Sequence, residues 1–446
     1  MARLFGTDGV RGLAGTDLTA DLARGLGRAS VGVLAAETRH RPVLLLGRDT
    51  RASGVWLEEA LVEGIHEAGG DVLLVGVEPT PAIAFLTIDA GADAGVVISA
   101  SHNPPEYNGI KFFGANGMKL PDAVEDRIEA ALDDPVSEAA GGTIETLRGG
   151  RERYLEHLEK ATTARLEGLS LVVDCANGAA SEIAPILYER LGATVRAIHA
   201  SPDGSNINVD CGALHPEVVG AAVVERGADV GVSHDGDADR ALFTDHLGRI
   251  IDGDQVLAAC AIAMKEEGAL SGDSVVTTVM ANLGFHRAML EAGIAVSATK
   301  VGDRYVLEEM LVEGAVLGGE QSGHLIFRDH ATTGDGLLTA VRFLSIAASS
   351  GRTVADLASV MRRYPQVLEN VRVRSLDELD GSKPVWDAVR AAEEELADTG
   401  RVLVRASGTE PLVRVMVEAE SEEDARRQVD AIASTVRERL GTPSTR

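Results

Sequence analysis

The sequence predicts an α/β protein: three related α/β domains with mixed, mainly parallel sheets, followed by a smaller C-terminal α+β domain. Three observations carry this expectation. The chain has 446 residues, more than one hydrophobic core usually accommodates. Short apolar runs rich in Val, Ile and Leu are each followed by a loop of small and polar residues and then an amphipathic stretch, the order of parallel crossovers. That order restarts at intervals far longer than a solenoid repeat, so the recurrence is of domains.

In chain order, residues 42–46 form a strand ending in the polar loop 47–54, and a helix follows with Val55, Leu57, Leu61, Val62 and Ile65 on its apolar positions. Residues 72–75 are the next strand, and Glu78-Pro79-Thr80-Pro81 opens a helix. The run Ala94-Gly95-Val96-Val97-Ile98 is a buried strand that stops at Ser99-Ala100-Ser101-His102-Asn103-Pro104. Pro104 and Pro105 cannot join a sheet ladder, so reactive side chains gather at the carboxyl end of that strand. After a charged helix at 151–160 the pattern restarts at strand 169–174 with the small-residue loop 175–181, and again at strand 274–279 with the loop 280–284. From Tyr364-Pro365 the order becomes strand (371–373), helix (385–396), strand (401–405), strand (412–419), helix (422–440). The expected domains are 1–153, 154–254, 255–366 and 367–446.

Composition narrows the function. The net charge is −27, with only six lysines among 42 basic side chains, which argues against a general nucleic-acid surface. An anionic substrate would have to be drawn in by local arginine clusters and helix N-termini, because salt screens the global field beyond ~8–10 Å. No uncharged apolar run is long enough to span a bilayer, and the N-terminal residues lack the apolar core of a signal peptide. Cys175, Cys211 and Cys260 form neither a disulfide framework nor a metal-ligand spacing. A cytoplasmic protein with no membrane or nucleic-acid partner is expected.

Three constellations carry chemistry. The first is the serine loop with Lys111 beyond it; alone it reads equally as a strand-end turn. It lacks the Gly-x-Ser-x-Gly elbow of hydrolases, which disfavours acyl transfer. The second is Asp235-Gly236-Asp237-Ala238-Asp239-Arg240 after the strand 230–232. Carboxylates at alternate positions repel one another unless a hard cation such as Mg²⁺ or Ca²⁺ sits among them, so a metal loop is favoured over the alternative of an acidic surface turn. An EF-hand is excluded, since Arg240 falls where its glycine and His246 where its glutamate belong. The third is Arg405-Ala406-Ser407-Gly408-Thr409-Glu410-Pro411 with Arg414, in which hydroxyls, backbone N–H groups and arginines make either a phosphate cradle or a tight hairpin turn. A weaker fourth is Gly319-Glu320-Gln321-Ser322-Gly323-His324, whose carboxylate and hydroxyl can pair with sugar hydroxyls but which alone reads more readily as an ordinary loop. Phosphate-monoester chemistry requires enhancements of up to ~10²¹-fold, of which acid–base assistance gives only ~10²–10⁴. Metal neutralisation and positioning must supply most of the rest. A separate phosphate cradle implies a substrate with a second phosphate, which is the logic of a mutase.

These four loops, in this order and spread over essentially the whole chain, resemble the signature loops of the α-D-phosphohexomutases; Phe5-Gly6-Thr7-Asp8-Gly9-Val10-Arg11-Gly12 fits as well. The resemblance implies four domains around a central cleft, with a C-terminal domain that acts as a lid. By the resemblance Ser101 is the phosphoserine, and one Mg²⁺ per subunit is held by Asp235, Asp237 and Asp239 with a phosphate oxygen on Ser101. His102, Lys111 and Arg11 become acid–base or charge-stabilising partners. Arg240, Lys300, Glu320, Ser322 and His324 become substrate contacts, and Arg405, Ser407, Gly408, Thr409 and Arg414 hold the non-reacting phosphate. Ser205 departs from the apolar residue that relatives often carry, without touching a catalytic role.

The loop forms within the family, including Thr299-Lys300-Val301-Gly302-Asp303-Arg304-Tyr305 and Thr332-Thr333-Gly334-Asp335-Gly336, imply interconversion of glucosamine 6-phosphate and glucosamine 1-phosphate. That reaction runs through glucosamine 1,6-bisphosphate, which, or another phosphate donor, also primes the enzyme, and it would feed UDP-N-acetylglucosamine and cell-wall precursor synthesis. The alternative is a glucose- or mannose-phosphate mutase with the same machinery. A rival of another class is an aspartyl-nucleophile phosphatase built on Asp235 and Asp237. A monomer or homodimer is expected.

Overall fold

The computed structural model describes residues 3–6, 8–38, 40–134, 141–407 and 410–441. They fall into two compact units: residues 1–280 with 293–360, and residues 281–292 with 361–446.

The first unit holds three sheets built on one plan. In the first, Val43–Arg48, Asp71–Val77, Ala94–Ile98 and Ile144–Thr146 run parallel, and Tyr107–Gly114 and Val10–Leu13 join antiparallel at one side. Side chains alternate across a pleated strand, and here both faces are covered. Leu44, Leu46, Val96 and Ile98 enter a core with the helices Ala20–Ala35 and Ala52–Glu67, whereas Leu45 and Val97 enter another with the helix Thr80–Asp89. Double burial is why these strands read as continuous apolar runs. The second sheet pairs Ser170–Asp174, Thr194–Ile198 and Val230–His234 in parallel and adds Ala241–Thr244 and Ile250–Ile251 antiparallel. The third pairs Ser274–Thr278, Ala295–Thr299 and Leu317–Gly319 in parallel and adds Leu325–Phe327 antiparallel.

The shared plan positions three loops. In each sheet one parallel strand turns back into an antiparallel partner, pairing Ile98 with Ile110, His234 with Ala241 and Gly319 with Leu325. The connections are residues 99–106, 235–240 and 320–324, so the serine, aspartate and glutamate loops occupy equivalent places at carboxyl ends of strands. Hydrogen bonds anchor the aspartate loop to two helix starts, and the glutamate loop to the strand that follows the aspartate loop: Thr80 N–H donates to Asp237 O at 3.0 Å, Gly336 N–H to Ala238 O at 3.0 Å and Ala241 N–H to Gly323 O at 3.1 Å.

The second unit carries an antiparallel sheet in the order Gln366–Arg372, Leu412–Glu418, Arg401–Ala406. Val413, Val415 and Val417 pack with Ile432 and Val436 of the helix Glu422–Leu440 and with Val385 and Val389 of the helix Lys383–Leu396. The first strand is longer than residues 371–373, because its whole length pairs with Leu412–Glu418. The helix Leu283–Glu291 belongs to this unit: Asn282 Nδ2 donates to Tyr364 O at 3.0 Å, and Leu283 N–H donates to Glu418 Oε2 at 2.8 Å. Among the described residues no helix is long and apolar enough to cross a membrane.

Candidate active site

Ser101 stands at φ 51°, left-handed backbone that a non-glycine residue adopts only when its surroundings hold it there. The holding group is Arg51, fully buried, whose guanidinium donates to the carbonyls of Ser101 (3.0 Å), Asn103 (2.8 Å), Tyr107 (3.0 Å) and Pro104. Its Nε donates to Asp49 Oδ2 at 2.9 Å. Asp49 in turn accepts from Ser99 Oγ at 2.5 Å, and Ser99 Oγ accepts from Ser101 N–H at 2.9 Å. Burial holds the Asp49 carboxyl above its ordinary range, and the charge of Arg51 opposes that. Of the loop's two hydroxyls, Ser99 therefore shapes the turn and Ser101 is presented.

Ser101 Oγ donates to Asp235 Oδ2 at 2.8 Å and lies 3.2 Å from His102 Nδ1. Since the hydroxyl proton points to Asp235, the ring meets Oγ as an N–H donor. Burial, with Arg240 and Arg11 nearby, pushes His102 down to about 4, so the ring is neutral near pH 7.

The aspartate loop approaches at van der Waals distance. A Cβ on Gly236 would fall 2.6 Å from Ser101 O, so only glycine permits the approach. Ala238, at φ 58°, turns the loop so that Asp235, Asp237 and Asp239 each bring a carboxylate oxygen within 4.8 Å of the others. All three are buried, and Oδ1 of both Asp237 and Asp239 accepts no hydrogen bond. Burial and the neighbouring aspartates push Asp235 well above the carboxylate range and Asp239 up to about 6. For Asp237 burial acts the same way, but Lys111 and the Thr80 hydroxyl, 2.7 Å away, outweigh it and lower the carboxyl. Buried carboxylates with orphaned oxygens and no nitrogen or sulfur donor among them fit a hard divalent cation.

The strand Tyr107–Gly114 supplies Lys111, whose Nζ lies 2.5 Å from Asp8 Oδ1; Arg11 pairs with the other oxygen of Asp8. Burial works against the Lys111 charge, but Asp8, Asp237 and Asp239 outweigh it, so the ammonium is held charged. Beside Lys111 a cavity of about 250 Å³ is walled by Lys119, Asp303 and His324, among others. Neither ring nitrogen of buried His324 has a hydrogen-bond partner, and Nε2 lies 4.0 Å from Asp239 Oδ2. Arg240 Nε is 3.6 Å from Asp239 Oδ1. Glu320 Oε1 accepts from Gly302 N–H at 3.1 Å, and Ser322 Oγ is buried without a partner. Lys300 is exposed, its Nζ 3.8 Å from the centre of the Tyr305 ring. Ser101, His102, Arg11, Lys111, the three aspartates, Arg240 and His324 thus share one polar neighbourhood, which Glu320 and Ser322 join through the third loop.

In the second unit Arg405 and Arg414 are direct partners across the two strands. Like charges directly opposite on a sheet are unfavourable unless an anion joins them. Burial and Arg414 both lower the Arg405 guanidinium, and Ser407 Oγ and Arg414 Nε are buried without hydrogen-bond partners. Gly408 and Thr409 lie outside the described residues. Asp8, Asp49, Arg51 and Lys119 escaped the sequence reading as site residues. Asp8 stood in a quoted motif and Asp49 and Arg51 in the polar loop 47–54, but their partners are tertiary.

Four models of the phosphoglucomutase/phosphomannomutase family match in succession: α/β/α domain I at 2–138, domain II at 152–248, domain III at 252–364 and the C-terminal domain at 368–435. A Corynebacterium glutamicum protein named phosphoglucosamine mutase is 54% identical over 98% of this chain and 100% of its own. A Frankia alni protein of the same name is 53% identical over 99% of this chain and 100% of its own. Among solved structures, a phosphoglucomutase/phosphomannomutase family protein from Burkholderia thailandensis superimposes with a TM-score of 0.84 at 28% identity, covering 100% of this chain and 98% of that one. The N-acetylphosphoglucosamine mutase of Aspergillus fumigatus, solved with GlcNAc-6P and magnesium, shares the fold with a TM-score of 0.69 at 17% identity, over 98% and 95% of the two chains.

Proposed function

The chain belongs to the phosphoglucomutase/phosphomannomutase family, and from that premise we propose that it interconverts glucosamine 6-phosphate and glucosamine 1-phosphate. The observation that carries the proposal is the 2.8 Å contact of Ser101 Oγ with Asp235 inside a buried triad of carboxylates. A serine beside an acyl-transfer base would have no use for three aspartates, whereas a phosphoserine needs its charge neutralised. Full-length relatives named phosphoglucosamine mutase support the 2-amino sugar over glucose or mannose.

In this reading Ser101 carries the phosphoryl group. It passes the group to O1 of glucosamine 6-phosphate, forming the 1,6-bisphosphate as the P–Oγ bond breaks. After the sugar turns over, Ser101 Oγ takes the phosphoryl group from O6 and leaves glucosamine 1-phosphate. His102 Nδ1, 3.2 Å from Ser101 Oγ, hands its proton to Oγ as the P–Oγ bond breaks, the ring regains one from the attacking sugar hydroxyl, and Lys111 and Arg11 face the charge on the transferring group. Asp235, Asp237 and Asp239 would hold Mg²⁺ together with a phosphate oxygen on Ser101. When bound, the ion neutralises charge on the phosphoryl group. Arg240, Lys300, Glu320, Ser322 and His324 contact the sugar, while Arg405, Ser407, Gly408, Thr409 and Arg414 hold the second phosphate. Domains 1–153, 154–254, 255–366 and 367–446 each contribute one loop. The bisphosphate or another phosphate donor primes Ser101, and three buried free cysteines accord with a reducing cytoplasm.

Side-by-side kinetics on glucosamine 1-phosphate and glucose 1-phosphate, with the matching bisphosphate supplied, test the substrate. A higher kcat/KM for the amino sugar is expected; a preference for glucose 1-phosphate overturns the assignment while leaving the phosphoserine scheme intact.

A further inference from the structure

A second cluster of mixed donors stands behind the aspartate loop. Asp174 ends the strand Ser170–Asp174, His199 follows the strand Thr194–Ile198, and Cys211 precedes the short turn Gly212–Leu214. One atom from each, a carboxylate oxygen, a ring nitrogen and Sγ, lies within 4.8 Å of the other two. The cysteine spacing along the chain could not show this grouping of Cys211 with two other donors. They are distant in sequence and meet only because the sheet brings two strand ends and a loop together.

The geometry of the cluster is that of a prepared site. Asp174 is completely buried; its Oδ1 accepts Ala176 N–H at 2.9 Å, and its Oδ2 is hydrogen-bonded to His199 Nδ1 at 3.0 Å. A hydrogen bond to the second oxygen is how outer groups orient a metal ligand, and an ion bound between Oδ2 and the ring nitrogen would take the place of the proton they share. Cys211 is completely buried, whereas the His199 side chain is 35% exposed, which leaves one side open to solvent and a fourth ligand. The backbone around the donors is strained as well. Ala176, Asn177, His199, Asn208 and Asp210 all have positive φ, five of the nine such non-glycine residues among those described. Such outliers cluster where a ligand clamp holds them.

We propose that Asp174, His199 and Cys211 form a site for a borderline-soft divalent ion of the Zn²⁺ class, separate from the all-oxygen aspartate triad. Thiolate, imidazole and carboxylate with an open fourth position are the donors of a tetrahedral zinc centre, and donor chemistry sorts such an ion from Mg²⁺. On binding, Cys211 releases its thiol proton to solvent and His199 ligates as the neutral ring. The ion pins the loop that carries Asn208, whose Nδ2 donates to Ser101 O at 2.8 Å and Asn103 O at 3.1 Å. Occupancy thereby steadies the serine loop.

The test uses the full chain, stripped with chelator and held in saturating Mg²⁺, with Co²⁺ as the probe. One equivalent of Co²⁺ is expected to give a near-ultraviolet thiolate-to-cobalt band that Zn²⁺ displaces, and Zn²⁺ is expected to raise Tm. The band should vanish in Cys211→Ala, weaken in the partly exposed His199→Gln and persist in Cys175→Ala, with folding checked by circular dichroism. Should Cys211→Ala fail to fold, loss of the Zn²⁺-dependent rise in Tm in His199→Gln decides the matter. Absence of the band in the wild type, its survival in Cys211→Ala, or an unchanged rise in His199→Gln would overturn the site. Zn²⁺ should also slow amide exchange at residues 99–103; a band without that change overturns the link to the serine loop. None of these readouts depends on turnover or on the sugar-phosphate reading.

Discussion

Arg51 is the residue on which the serine loop hangs. Its guanidinium satisfies four carbonyls and neutralises Asp49, with both side chains buried. Arg51→Ala would leave Asp49 charged and unpaired, and such a loss costs about 3–5 kcal/mol. Adding Asp49→Asn to Arg51→Ala should restore part of that stability, whereas additive losses in a double-mutant cycle would refute the coupling. The same scale shows what sequence could reveal. The grouping of Ser101 with the three aspartates was expected from the ordered set of loops rather than from either loop alone, and the structure does bring them together. Arg51 was not legible, because one arginine in a polar loop says nothing of the carbonyls it reaches some fifty positions later. Cys211 was hidden for the same reason.

Two elements carry predictions of their own. The helix Gly336–Ser350 begins at Asp335, which caps Leu338 N–H at 2.9 Å and accepts from Tyr154 Oη at 2.7 Å. Burial pushes this carboxyl up to about 6 from its ordinary 3.8. The folded state thus binds its proton more tightly than the unfolded state does, so the favourable contribution is full below the unfolded value and lost as pH rises through about 6. Asp335→Asn keeps the cap through its one oxygen, reverses the tyrosine bond so that Nδ2 donates to Tyr154 Oη, and removes the titration. It should be more stable than the wild type at pH 8, by on the order of 2–3 kcal/mol, with the gap closing by pH 4. A Tm difference that does not change with pH would contradict this. In the hairpin of the second unit, Arg414 faces Arg405. Arg414→Ala should raise KM for the sugar phosphate roughly 10–100-fold, the loss of one charge-assisted bond, while leaving Tm unchanged or slightly higher. A fall in Tm with KM untouched would make the pair structural. Strand positions were legible from apolar runs, whereas the antiparallel return at each carboxyl end was not, because polar loop residues do not declare how they pair.

At the scale of the whole chain, a net charge of −27 coexists with cationic groups gathered locally within each unit: Arg11, Lys111 and Arg240 near the serine in the first, and Arg405 with Arg414 in the hairpin of the second. Three repeats of one sheet plan deliver three loops to one unit, and their order along the chain made the family legible where each loop alone was ambiguous. Less legible was that the helix Leu283–Glu291 leaves its neighbours in sequence for the C-terminal unit, since that depends on Asn282 and Leu283 meeting Tyr364 and Glu418. In the proposed reading this organisation serves a serine that carries phosphate. Phosphopeptide mapping of the protein after exposure to glucosamine 1,6-bisphosphate and Mg²⁺ tests that claim most directly. Acid-stable phosphate on Ser101, absent together with turnover in Ser101→Ala, is the predicted result; acid-labile phosphate on Asp235, or full turnover by Ser101→Ala, would contradict it.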